Sequence, residues 1–105
     1  MKVTVKLTVA EFQSLLSYVQ KSTYENINEL QILNIRLFLS WGLKKLIDFK
    51  NTFGYSVQIK KISLEVNQYT AVMALLTNER NNLDPYMLAI FLTIQNQTKS
   101  LLKLV

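Results

Sequence analysis

The residue types that usually carry chemistry are scarce in this chain. It holds no His and no Cys. That removes imidazole bases, thiolate nucleophiles, disulfides and the common zinc ligand sets. Seven Ser are present, but no His can activate them. Glu25 and Glu29 are four apart, which on one helix face would let them share a cation. The same spacing describes two solvated acids in a first helical turn, favoured there by the helix dipole. The other acids are scattered and nominate no acid–base pair. There is no phosphate-binding glycine loop and no dinucleotide fingerprint. The expectation is a protein that is not an enzyme and uses no cofactor and no metal.

Basic and aromatic residues offer a second kind of chemistry. Lys2, Thr4 and Lys6 alternate with apolar residues near the start, and Lys60 and Lys61 recur in a later apolar stretch. On an exposed strand face these side chains would contact phosphates. Lys in such places also protects a strand edge from pairing with another chain. Tyr18, Tyr24 and Tyr55 are of the type that stacks on bases, and equally of the type that sits half-buried. Trp41 reads as a core or interface anchor.

The chain has 105 residues, enough for one domain. Half of them are hydrophobic and 18% are charged, as in a globular protein. The 12 basic residues outnumber the 7 acidic ones, giving a net charge of +5. Such a balance attracts polyanions, and nucleic acid is one expected partner. No apolar run reaches the roughly 18 residues of a membrane span, and no targeting segment is apparent. The expected location is cytoplasmic, with no membrane partner.

The elements that must position these residues follow from periodicity. Lys2 to Leu7 alternates, so it reads as a strand with Val3, Val5 and Leu7 inward. Thr8-Val9-Ala10-Glu11 is a capping box, with Leu7 and Phe12 as its hydrophobic staple. The helix it starts carries Val9, Phe12, Leu15, Leu16 and Val19 on one face and ends near Ser22. A second capping box, Ser22 to Glu25, or else Asn26 or Asn28, opens a long helix to about Lys50. Ser40 within it reads as a packing residue, and Lys44, Lys45 and Lys50 as its wet end. Asn51 to Gly54 is its stop. Tyr55 to Leu64 reads as a second strand, where a bulge near Lys60 would turn Val57, Ile59, Ile62 and Leu64 to one side. A third helix spans about Val66 to Asn78. Asp84-Pro85 starts the last, which runs to near Lys103.

Two of these helices are apolar over most of their circumference. The long one carries Leu30, Ile32, Leu33, Ile35, Leu37, Phe38, Leu39, Trp41 and Leu43. The last is apolar from Tyr86 to Ile94 apart from Thr93. In 105 residues two such helices are hard to bury completely, and surplus apolar surface means self-association or a partner. The closing Leu101-Leu102-Lys103-Leu104-Val105 run adds to it. The expected interaction surface is Phe38, Trp41, Tyr86, Phe91, Leu101 and Leu102, and the expected partner is a second copy.

An offset of 57 residues aligns the two halves as pseudo-repeats, about 2–50 and 59–105. Leu7 meets Leu64, Phe12 meets Tyr69, and Leu30, Leu33 and Leu37 meet Met87, Ile90 and Ile94 as a shared core stripe. The fold class is therefore α+β, a single domain over residues 1–105 of order β-α-α-β-α-α, with an antiparallel two-stranded ribbon and four helices.

Lys2-Val3-Thr4-Val5-Lys6-Leu7 before a capped helix, with Asn26 to Leu30 at the start of the next, resembles the ribbon–helix–helix DNA-binding domains. That resemblance implies a tandem pseudo-dimer whose ribbon enters the major groove. Readout would fall to Lys2, Thr4 and Lys6, and by the offset to Ile59, Lys61 and Ser63. The strands carry no Arg and no Gly separates the first two helices, where that family has them. Two functional expectations stand: a non-enzymatic module that self-associates through apolar helices, and a DNA-binding protein using a Lys-bearing strand face.

Overall fold

The computed structural model describes residues 1–53 and 58–103, with side chains described for all but residues 52, 53 and 100–103. The element order is β1 (Lys2–Thr8), α1 (Val9–Lys21), α2 (Glu29–Phe53), β2 (Ile59–Glu65), α3 (Val66–Asn78) and α4 (Pro85–Lys103). A 3₁₀ turn, Arg80–Asn82, joins the last two. This is the expected α+β order.

β1 and β2 form a two-stranded antiparallel sheet. Its register runs unbroken from Lys2↔Glu65 to Thr8↔Ile59. No bulge occurs at Lys60. Ile59 therefore falls on the same side as Lys61 and Ser63, and is 66% exposed. Val57 and Tyr55 lie outside the described residues. A two-stranded ribbon cannot stand alone in water, and here its inner face is seated on helices. Val3, Val5, Leu7, Ile62 and Leu64 are buried in one cluster with side chains from all four helices.

The first capping box forms as its sequence dictates. The Glu11 N–H donates to Thr8 Oγ1 at 3.1 Å, and the Thr8 N–H to Glu11 Oε1 at 2.8 Å. The second box does not cap a helix. Ser22 is instead the C-cap of α1, and a loop with Tyr24 and Asn26 at positive φ leads to α2. Asn28 caps that helix, its Oδ1 accepting from the Gln31 N–H at 2.8 Å. Glu25 is thus in a loop and does not share a helix face with Glu29. Asp84 caps α4 as expected, accepting from the Met87 N–H at 2.8 Å.

β1 and β2 begin 57 residues apart and have equal lengths, as do α1 and α3. The central ribbon pair, Val5↔Ile62, joins two positions that are themselves 57 apart. The second helices differ. α2 has 25 residues and packs on α1 and α3, whereas α4 has 19 and packs on β1 and α1. Gly42 does not break α2. A Cβ there would lie 2.5 Å from Leu16 Cδ2, so the glycine lets α1 and α2 approach.

Candidate functional site

Two surfaces carry what this molecule offers a partner. The first is the outer face of the ribbon. With Val3, Val5 and Leu7 inward, the period of two turns Lys2, Thr4 and Lys6 outward, and all three are exposed. On β2, Ile62 and Leu64 inward leave Ile59, Lys61, Ser63 and Glu65 exposed. The register sets Lys6 opposite Lys61 and Thr4 opposite Ser63. The two hydroxyls share a hydrogen bond of 2.9 Å. Lys2 Nζ lies 4.0 Å from Glu65 Oε1, both well exposed, so the pair is weak. Lys6 and Lys61 are like charges directly opposed, an arrangement that an anion between them would relieve.

Lys60 does not belong to this face. It pairs with Leu7 on the inward parity, is half-buried, and its Nζ donates to Gln58 Oε1 at 3.1 Å. Four of the five expected basic-face residues are therefore brought together, and one is not.

The free edge of β1 is closed by a side chain. Gln97 on α4 accepts from the Lys6 N–H at 2.6 Å and donates to the Lys6 carbonyl at 2.8 Å, as a neighbouring strand would.

The second surface is the outward side of α2. Ile35, Phe38, Leu46 and Phe49 turn into the core. Opposite them, Leu30 (68%), Leu33 (52%), Leu37 (49%) and Ile47 (57%) are exposed, with Leu43 at their flank. Ser40, expected to pack internally, and Lys44 are exposed on the same side. The offset had assigned Leu30, Leu33 and Leu37 to the core beside Met87, Ile90 and Ile94. Only the α4 residues are buried. α2 docks by a different face, and its stripe equivalent to the core stripe of α4 is left bare.

Of the expected interaction residues, Tyr86 is 51% exposed. Trp41 is half-buried, edge-on to Phe12 at 6.2 Å between centroids. Phe38 and Phe91 are fully buried and form no surface; both sit on the face of their helix that meets the core. The side chains of Leu101 and Leu102 lie outside the described residues. Sequence reasoning missed the exposure of Leu30, Leu33, Leu37 and Ile47. Their spacing of three, four and ten residues was the signal available.

The half-buried tyrosines are tied down. Tyr18 donates to Glu79 Oε2 at 2.6 Å, and Ser22 to Glu79 Oε1 at 2.9 Å, joining the end of α1 to that of α3. Burial raises the Tyr18 pKa far above its usual value, helped by the hydrogen bond and charge of Glu79 and the charge of Asp84. Tyr24 donates to the Val19 carbonyl at 3.0 Å, and its pKa too is raised by burial, with Arg36 opposing. Tyr55 lies outside the described residues. Deeper in the fold, Tyr69 and the buried Thr98 share a hydrogen bond of 2.6 Å.

An open groove of about 630 Å³ runs beside α3, lined by Tyr69, Thr70, Met73, Ala74, Thr77, Asn78 and Gln95. No charged group enters it. Among the described residues no cluster of three metal-ligating side chains occurs, and no helix is long and apolar enough to cross a membrane. Comparison with protein-family models, curated proteins and solved structures finds no match to this chain.

Proposed function

We propose that this protein is a non-enzymatic interaction module that self-associates through α2. One observation carries the reading: Leu30, Leu33, Leu37 and Ile47 stand exposed along one side of a helix whose other side is in the core. Scattered exposed apolar residues need no explanation, but four on one side of one helix do. Covering it stabilises a complex by about 25 cal/mol for each Å² removed from water, less the cost of association. Light scattering across a concentration series tests this. The mass should rise above that of one chain in the micromolar range. A constant single-chain mass at hundreds of micromolar would contradict it.

A second reading is favoured by the ribbon. Lys2, Lys6 and Lys61 are exposed on one bare face with Thr4 and Ser63 between them. We propose nucleic-acid binding there, in the manner of the ribbon–helix–helix domains that the opening strand and helix resemble. The halves, about 2–50 and 59–105, would then act as a tandem pseudo-dimer, and the setting would be cytoplasmic. The two readings use different elements and do not compete. Duplex DNA titrated across a salt series tests the second: counterion release gives a log–log slope of about −0.9 per phosphate contacted. Lys6→Gln with Lys61→Gln should reduce the slope by about two such contacts. No binding at low salt would leave these lysines to edge protection and solubility.

A further inference from the structure

We infer that the partner of α2 is the α2 of a second copy, lying antiparallel to it across a two-fold axis centred between Phe38 and Leu39. This rests on the self-association reading and adds its geometry.

The outward positions of α2 are Leu30, Leu33, Leu37, Ser40, Lys44 and Ile47. Their intervals alternate between three and four, the spacing of a coiled-coil seam. The apolar weight is uneven, with three leucines in the first half and Ser40 and Lys44 in the second. That asymmetry selects the direction. In a parallel pair each position meets itself. Lys44 would face its own copy as a like charge in the seam, and Ser40 would face Ser40 and leave a gap.

Antiparallel pairing removes both faults. Leu30 meets Ile47, Leu33 meets Lys44, and Leu37 meets Ser40, each in both directions. The small residue lies against a large one. The Lys44 stem runs along a leucine with its ammonium at the water's edge. At the flanks, Glu29 comes beside the second copy's Lys50, opposite in charge, and the Arg36 stem covers the exposed Leu43.

The extent is adequate. Leu30 to Ile47 spans about 26 Å of helix. A stable interface buries about 800 Å² on each partner, so the flanks are covered along with the stripe. The stripe also aligns with the face by which α4 enters the core. Its three leucines are core-like in composition and lack only a cover.

The absence of cysteine gives a direct test. A spin label on Asp48→Cys, an exposed position near the end of α2, reports one distance between copies. The antiparallel register separates the two labels by about 28 Å along the helix axes. A parallel pair would bring them within about 20 Å, since packed helices lie 8–10 Å apart. A long distance is the expected result, and a short one overturns the antiparallel register while leaving self-association intact. Ile47→Glu, a change at an exposed site that leaves the core untouched, sets a carboxylate against the second copy's Leu30 and beside its Glu29, and should weaken the dimer roughly 100-fold. The matching change on α4, Leu92→Glu, should leave it unaltered. If unlabelled protein stays a single chain, self-association and this geometry fall together. If Leu92→Glu abolishes the dimer and Ile47→Glu does not, the interface is on α4 and the inference is wrong.

Discussion

The Tyr18 hydroxyl donates to Glu79 at 2.6 Å, and Ser22 gives the same carboxylate a second donor. This small network ties the last turn of α1 to the end of α3, and it has a pH signature. In the unfolded chain Tyr18 ionises near its usual pKa of about 10. In the fold its pKa is raised, chiefly by burial, so the proton is held. The contribution to stability is therefore complete below about pH 10 and is lost as the pH rises toward the folded pKa. Tyr18→Phe should cost stability at neutral pH and lose less of what remains between pH 9 and 11 than the wild type does. Denaturant midpoints at each pH measure this, and parallel pH profiles would contradict it. Neither Tyr18 nor Glu79 announces the contact in the sequence, because they are 61 residues apart. The capping box at Thr8 could be read because both partners lie within one turn.

At the scale of elements, legibility depended on how local the deciding interaction was. β1, α1, α3 and the start of α4 followed from alternation, caps and the Asp84-Pro85 pair. The start of α2 did not. Ser22 to Glu25 has the form of a capping box, but Ser22 is spent on Glu79 and on the Tyr24 N–H, and Asn28 caps instead. In β2, Ile62 and Leu64 are inward as alternation predicts, but a bulge is needed to bring Ile59 with them, and straight pairing with β1 leaves it outside. Gly42 is a further case. Glycine weakens a helix interior, but here it makes room for the buried Leu16. Gly42→Ala gains about 1 kcal/mol of helix propensity. It also forces Leu16 from its place, an overpacking that costs about 1–3 kcal/mol. The expected net result is a loss of about 1 kcal/mol in the unfolding free energy. Stabilisation would show that Leu16 can swing aside without strain.

For the whole molecule, the sequence disclosed a surplus of apolar surface but not where it would emerge. The offset of 57 places Leu30, Leu33 and Leu37 with the core residues of α4, and composition gives no sign that α2 turns another face inward. The choice is made by tertiary packing: Phe38, Gly42 and Leu46 fit against α1 and α3, and the leucines are left outside. The basic ribbon face was more legible, since strand alternation alone assigns Lys2, Thr4 and Lys6 outward. An α2 dimer would carry two such faces in one particle. DNA affinity would then gain from bivalency and fall when the dimer is broken. The most direct measurement is sedimentation equilibrium of the wild type beside Leu30→Glu and Ile47→Glu combined. Self-association through α2 predicts a wild-type mass approaching twice the 12.2 kDa of one chain, and a single-chain mass for the folded double variant. Equal masses for the two proteins would contradict it.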